Sequence, residues 1–104
     1  MTNNQFIQAA LKLNGTISAP HFDRTAFKVT GKRSYATLHE PSHTCNIKLS
    51  PVDQSVFSDY GENVYPVPNK WGDQGWTTFE LETLPAKFVE HALESAYNEV
   101  VGTK

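Results

Sequence analysis

One cysteine, Cys45, stands in 104 residues, so no disulfide closes within the chain and a small secreted scaffold stapled by bridges is excluded. No apolar run reaches membrane-spanning length, and the start, MTNNQFIQAALKL, has no basic region ahead of an apolar stretch. Neither a transmembrane helix nor a secretory signal is expected, and the compartment read from this is the cytoplasm. Also missing are G-x-S-x-G, a P-loop and a dinucleotide glycine fingerprint; Gly72 and Gly75 precede an expected strand, where those motifs need a helix. No catalytic residue, metal or cofactor is nominated, and the expectation is a protein that is not an enzyme.

With 19% charged and 12% aromatic residues and no polar tract or repeat, residues 1–104 read as one ordered domain with a single core. Charge is unevenly spread. Residues 1–52 carry six Lys or Arg against two acids, a net +4, and residues 53–104 carry three against nine, a net -6; together they give the -2 of the chain. The split suggests one basic and one acidic surface and argues against a polyanion gripped over the whole protein.

Helical spacing of Phe6, Ile7, Ala10 and Leu11 predicts a first helix over 3–13, stopped by Asn14-Gly15. A connector through Ile17 and Pro20 follows. Alternation over 26–30, a turn at Gly31, and further extended runs over 35–39 and 45–49 predict a three-strand antiparallel meander. Ser50-Pro51-Val52-Asp53 reads as an N-cap, a first-turn proline and an acid at the positive helix end, opening a short helix with Val52, Val56 and Phe57 on its apolar face. Val64-Tyr65-Pro66-Val67-Pro68 is extended and confined by its prolines to an edge or a loop. Residues 76–81 alternate as a strand with Phe79 and Leu81 inward, and 85–101 form a helix whose stripe is Phe88, Val89, Ala92, Leu93, Ala96 and Val100, with Glu90, Glu94 and Glu99 off it. The fold class is α+β, two-layer: an antiparallel sheet with helices packed on one face, in the order helix, three-strand meander, short helix, one or two strands, C-terminal helix. The open sheet face is expected to show Lys28, Tyr35, Thr37, His39, Asn46 and Lys48.

The run APHFDRTAFKVTGKRSYATLH (19–39), then YPVPNKWGDQGWTTFEL (65–81), then ALESAYNEVV in the last helix, resembles the MmcQ/YjbR family of small bacterial proteins over nearly the whole chain. The resemblance implies a compact α+β fold similar to that of secretion chaperones and also likened to the CyaY fold. Members are commonly labelled DNA-binding, and no catalytic set comes with the family. What carries across is structural: Gly31, Pro66, Pro68, Gly72 and Gly75, with Trp71, Trp76 and Thr77 around the glycine loop.

For NKWGDQGW the plain expectation is a structural loop, its two indoles closing the edge of the core. Stacking on a base requires an exposed indole instead, and Lys70 beside Trp71 supplies the cation such a contact uses. Likewise Arg24, Lys28, Lys32, Arg33 and Lys48 either keep a hairpin and sheet face soluble or meet phosphates. The nucleic-acid candidates are therefore Arg24, Lys28, Lys32, Arg33, Lys48, Lys70, Trp71 and Trp76, with DNA bound weakly and with strong salt dependence. A protein or peptide partner and a small molecule held by Tyr65, Trp71 and Trp76 are the alternatives; no membrane is involved and a monomer is expected. His39, His43 and Cys45 have metal-like spacing but lack a fourth ligand nearby, and three spaced glutamates on the last helix read as a solvated face.

Overall fold

Thr2 caps the first helix, α1 (Asn3–Leu11): its hydroxyl accepts the Gln5 N–H while the Gln5 side chain accepts the Thr2 N–H, so two orphan donors are satisfied. The computed structural model describes residues 1–102. After α1 come β1 (Thr16–His21), β2 (Arg24–Val29), β3 (Ser34–His39) and β4 (Thr44–Lys48), then α2 (Pro51–Ser58), β5 (Val64–Pro66), α3 (Lys70–Asp73), β6 (Trp76–Glu80) and α4 (Ala86–Val101). The strands form one antiparallel sheet in the order β1-β2-β3-β4-β6-β5.

The meander thus has four strands, not three. β1, expected as a connector, pairs with β2 from Thr16 opposite Val29 to His21 opposite Arg24. Pro20 and a largely exposed set of side chains hide its period of two, and an edge strand tolerates a proline because one side of its backbone faces water. At the other edge β5 keeps Pro66, as its prolines required.

One face of the sheet carries the core. Phe27, Ala36, Leu38, Cys45, Ile47 and Phe79 meet Phe6 and Ala10 of α1 and Val89, Ala92, Leu93 and Ala96 of α4, all buried. Phe6 meets Phe27 edge-on with ring centroids 5.6 Å apart, and truncating either ring to alanine should cost about 3–5 kcal/mol. Outward of this stripe on α4, Glu94 and Glu99 are exposed and Glu90 is half-buried.

Tyr35 departs from the expected open face. Phe27 pairs with Ala36 and Lys28 with Ser34, so Tyr35 is one extra residue, a β-bulge that turns two successive side chains to the helix side. Its ring is fully buried edge-on against Tyr97 of α4, and its hydroxyl lies 2.8 Å from Thr16 Oγ1, tying the β1 edge to the core. Burial pushes the Tyr35 phenol above its ordinary pKa.

α2 begins as predicted, with Ser50 accepting the Asp53 N–H, but only one of its three expected core residues turns inward. Phe57 packs against Phe79 and Phe88, whereas Val52 is 72% and Val56 64% exposed. The helix is rotated by Gln54, which shares the inward face with Phe57; its Nε2 donates to Gly72 O at 2.9 Å, Thr77 Oγ1 at 3.1 Å and Trp76 O at 3.3 Å. Among the described residues no helix is long and apolar enough to cross a membrane.

Candidate functional site

Alternation that sends Phe27, Leu38, Ile47 and Phe79 to the core sends Ala26, Thr37, Asn46 and Thr78 to the uncovered face, where they stand abreast on β2, β3, β4 and β6. Ala26 and Thr37 are small, so the middle of this face is low, while larger side chains rise around it. Two adjoining hollows result, of about 340 and 310 Å³, sharing His21, Thr37, Trp71 and Trp76. Arg33, Lys48 and Gln74 border the first, and Arg24, Asn46 and Asn69 the second.

The glycine loop sets the tryptophans there. Asn69 caps the single turn of α3 by accepting the Trp71 N–H at 2.8 Å. Gly72 passes so close to the Val67 carbonyl that a Cβ would sit 1.9 Å from its oxygen. Gly75, at φ +108°, comes equally near Leu49, a Cβ there falling 1.8 Å from the Leu49 carbonyl oxygen, and the Leu49 N–H donates to Gly75 O at 2.9 Å. The glycines are therefore structural, as expected, but the indoles are not core closure. Trp76 is half-buried on the open face, directly across from Lys48, and Trp71 is 58% exposed above the hollow.

Of the sequence-predicted residues, Arg24, Arg33, Lys48, Trp71 and Trp76 are brought together around the two hollows. Lys28 lies on the same face, opposite Ser34 at the rim. Lys32 and Lys70 are exposed and line neither hollow. The His39-x3-His43-x-Cys45 spacing does not converge: His39 stays with Asp23 at 3.2 Å, His43 sits 3.6 Å from Glu82, and Cys45 faces the core. Among the described residues no three His, Cys, Asp or Glu side chains group as metal ligands.

Cations dominate the border of the hollows, with Arg33 and Lys48 at the first and Arg24 at the second. Burial, then the nearby Arg33 charge, holds the Lys48 ammonium below its ordinary pKa, with Glu99 pulling weakly the other way. Arg24 donates to Thr37 Oγ1 at 3.3 Å, which leaves most of its guanidinium N–H groups free. Among the described residues no carboxylate forms an ion pair with Arg24, Arg33 or Lys48. Three cations next to two accessible indoles can hold a planar ring and the negative charge attached to it.

Sequence reasoning missed His21 and Gln74 as site residues. Recognising β1 would have found His21, because its pairing with Arg24 follows once that strand is known. Asn46 was placed on the right face but not in the site; its Oδ1 accepts from Thr78 at 2.7 Å, leaving the amide N–H groups to the hollow.

No protein-family model and no curated protein matches the sequence. Among solved structures, the Deinococcus radiodurans protein DR2400, described as having a DUF419 domain, is similar with a TM-score of 0.74 at 20% identity, over 92% of this chain and 75% of that one. A Pseudomonas syringae protein is similar with a TM-score of 0.69 at 19% identity, over 95% of this chain and 98% of that one. At such low identity the likeness extends to the fold alone, and the chain shares the α+β architecture of these two proteins.

Proposed function

We propose that this chain is an MmcQ/YjbR-like, non-catalytic monomer whose open sheet face binds single-stranded nucleic acid weakly. The observation that carries the proposal is Trp71: a large indole left 58% exposed over a hollow bordered by Arg24, Arg33 and Lys48. An unpaired base offers the flat face that Trp71 and Trp76 take, and the phosphates on either side of it meet the cations. A duplex keeps its base faces stacked, so it reaches only the cations. Arg24, Arg33 and Lys48, none of them ion-paired among the described residues, make the contact sensitive to salt and indifferent to sequence.

The test is titration of the purified protein with labelled single-stranded and double-stranded DNA, with anisotropy and tryptophan emission followed together. Single-stranded DNA should bind tighter and quench the emission, and Trp71→Ala should remove most of both effects. Equal affinity for the two forms with unchanged emission would defeat the stacking assignment.

A second reading is supported by the volume of the hollows, near the lower end of small-molecule sites: a single aromatic anion such as a nucleotide. In that case a mononucleotide competes fully with DNA. Peptide addition at a sheet edge has less support, since Pro20 and Pro66 each remove a donor from the two free edges.

A further inference from the structure

β1 and β2 are joined by a two-residue turn, Phe22-Asp23, between His21 and Arg24. Its first central residue has φ +59°, and the second is not in the positive-φ region. A hairpin turn of that kind favours glycine at the first position, because a side chain there is strained. Here the position holds phenylalanine, a bulky residue for which positive φ is an outlier, and its ring is 95% exposed. Folding gains nothing from it: the ring is out of the core, the backbone is strained, and apolar surface is given to water. Strained residues of this kind cluster at functional sites.

The surroundings say what it contacts. Phe22 meets His21 edge-on at a centroid distance of 4.9 Å, and His21 lines both hollows together with Trp71. On its other side Arg24 lines the second hollow. The tip ring therefore joins the border of the hollows through His21, its packing partner, and lies two residues from Arg24. We propose that Phe22 is a second stacking platform, taking a base next to the one on Trp71 while Arg24 holds the phosphate that joins them. The inference rests on the nucleic-acid reading above and deepens it: the ligand is a strand of at least two unpaired nucleotides.

Phe22→Gly tests this, because glycine suits the turn and leaves the fold intact; its melting temperature should equal or exceed that of the parent. Affinities are compared on a length series of oligothymidylates from the single nucleotide upward. Phe22→Gly should weaken the longer oligomers roughly 5- to 150-fold, the worth of one stacked base, and leave the mononucleotide unchanged. Parental affinity at every length would overturn the proposal while leaving the Trp71 site standing. Absence of binding by the parent at low salt would instead remove the nucleic-acid reading and this inference with it. Sedimentation showing that the parent self-associates and Phe22→Gly does not would assign the ring to a contact between copies, and would likewise overturn it.

Discussion

Neutralising one hollow cation should change the salt dependence of binding by a calculable amount. Arg24, Arg33 and Lys48 border the hollows and none is ion-paired among the described residues, so all three are available to phosphates. For a single strand each phosphate contact contributes a slope of about -0.7 in log affinity against log salt, giving about -2 for three. Raising salt fourfold should then weaken binding about 18-fold. Arg33→Gln removes one contact, reduces the slope to about -1.4 and the loss to about 7-fold. It also removes a charge that depresses the Lys48 pKa, so Lys48 should stay protonated to higher pH in the variant. Anisotropy titrations of a short oligothymidylate at several salt concentrations measure the slope directly. Lys32→Gln is the control, being at the exposed hairpin tip and outside both hollows. If Arg33→Gln keeps the parental slope, or Lys32→Gln alters it equally, phosphates do not lie in the hollow.

Gly75→Ala should destabilise the protein by at least about 3 kcal/mol, since the new methyl meets the Leu49 carbonyl at 1.8 Å, whereas Gly31→Ala, at φ +82° with open space around it, should cost only about 1–2 kcal/mol; thermal melts separate them. Gln54→Leu removes its hydrogen bonds to Gly72 O and Thr77 Oγ1, which keep partners in the Gly75 N–H and the Gly75 carbonyl, and should cost about 0.5–1.5 kcal/mol, while Val56→Ser on the outer side of α2 should stay within about 0.5 kcal/mol by the same measurement. Alkaline pH should lower stability from about pH 9 upward: burial raises the Cys45 thiol above its usual 9.0, so the unfolded chain loses that proton first and stability present below pH 9 drains away at up to about 1.4 kcal/mol per pH unit. Tyr35 adds to the loss above its usual 10.0, and denaturant melts of Cys45→Ala against pH should lack the earlier limb.

Legibility in the sequence followed how much of each element was set locally. α4 and the strands β4 and β6 could be read because their burial repeats at the helix or strand period, β2 and β3 because the turn at Gly31 separates two extended runs, and the Ser50-Pro51 start of α2 because caps are local chemistry. β1 escaped because an edge strand over the open face has little to bury, and α3 because a single turn holding Gly72 has no period to detect. The side of Tyr35 was undecidable without the bulge, which is a property of the pair β2 and β3 and not of either strand. The site divided in the same way. Its cations and indoles were visible as residue types, but their convergence depends on the Gly72 contact with Val67 and on the Gly75 contact with Leu49, the second of which joins parts of the chain far apart in sequence.

The separation of a basic sheet face from Glu90 and Glu94 on α4 means that the overall charge of -2 and the pI of about 6.0 misdescribe how the molecule meets a surface. Under the proposed reading, a body charged this way should turn as it approaches a polyanion and arrive hollow-first. The same torque should hold it on a sulfonate resin at neutral pH and low salt, where a uniformly charged protein of that pI would flow through.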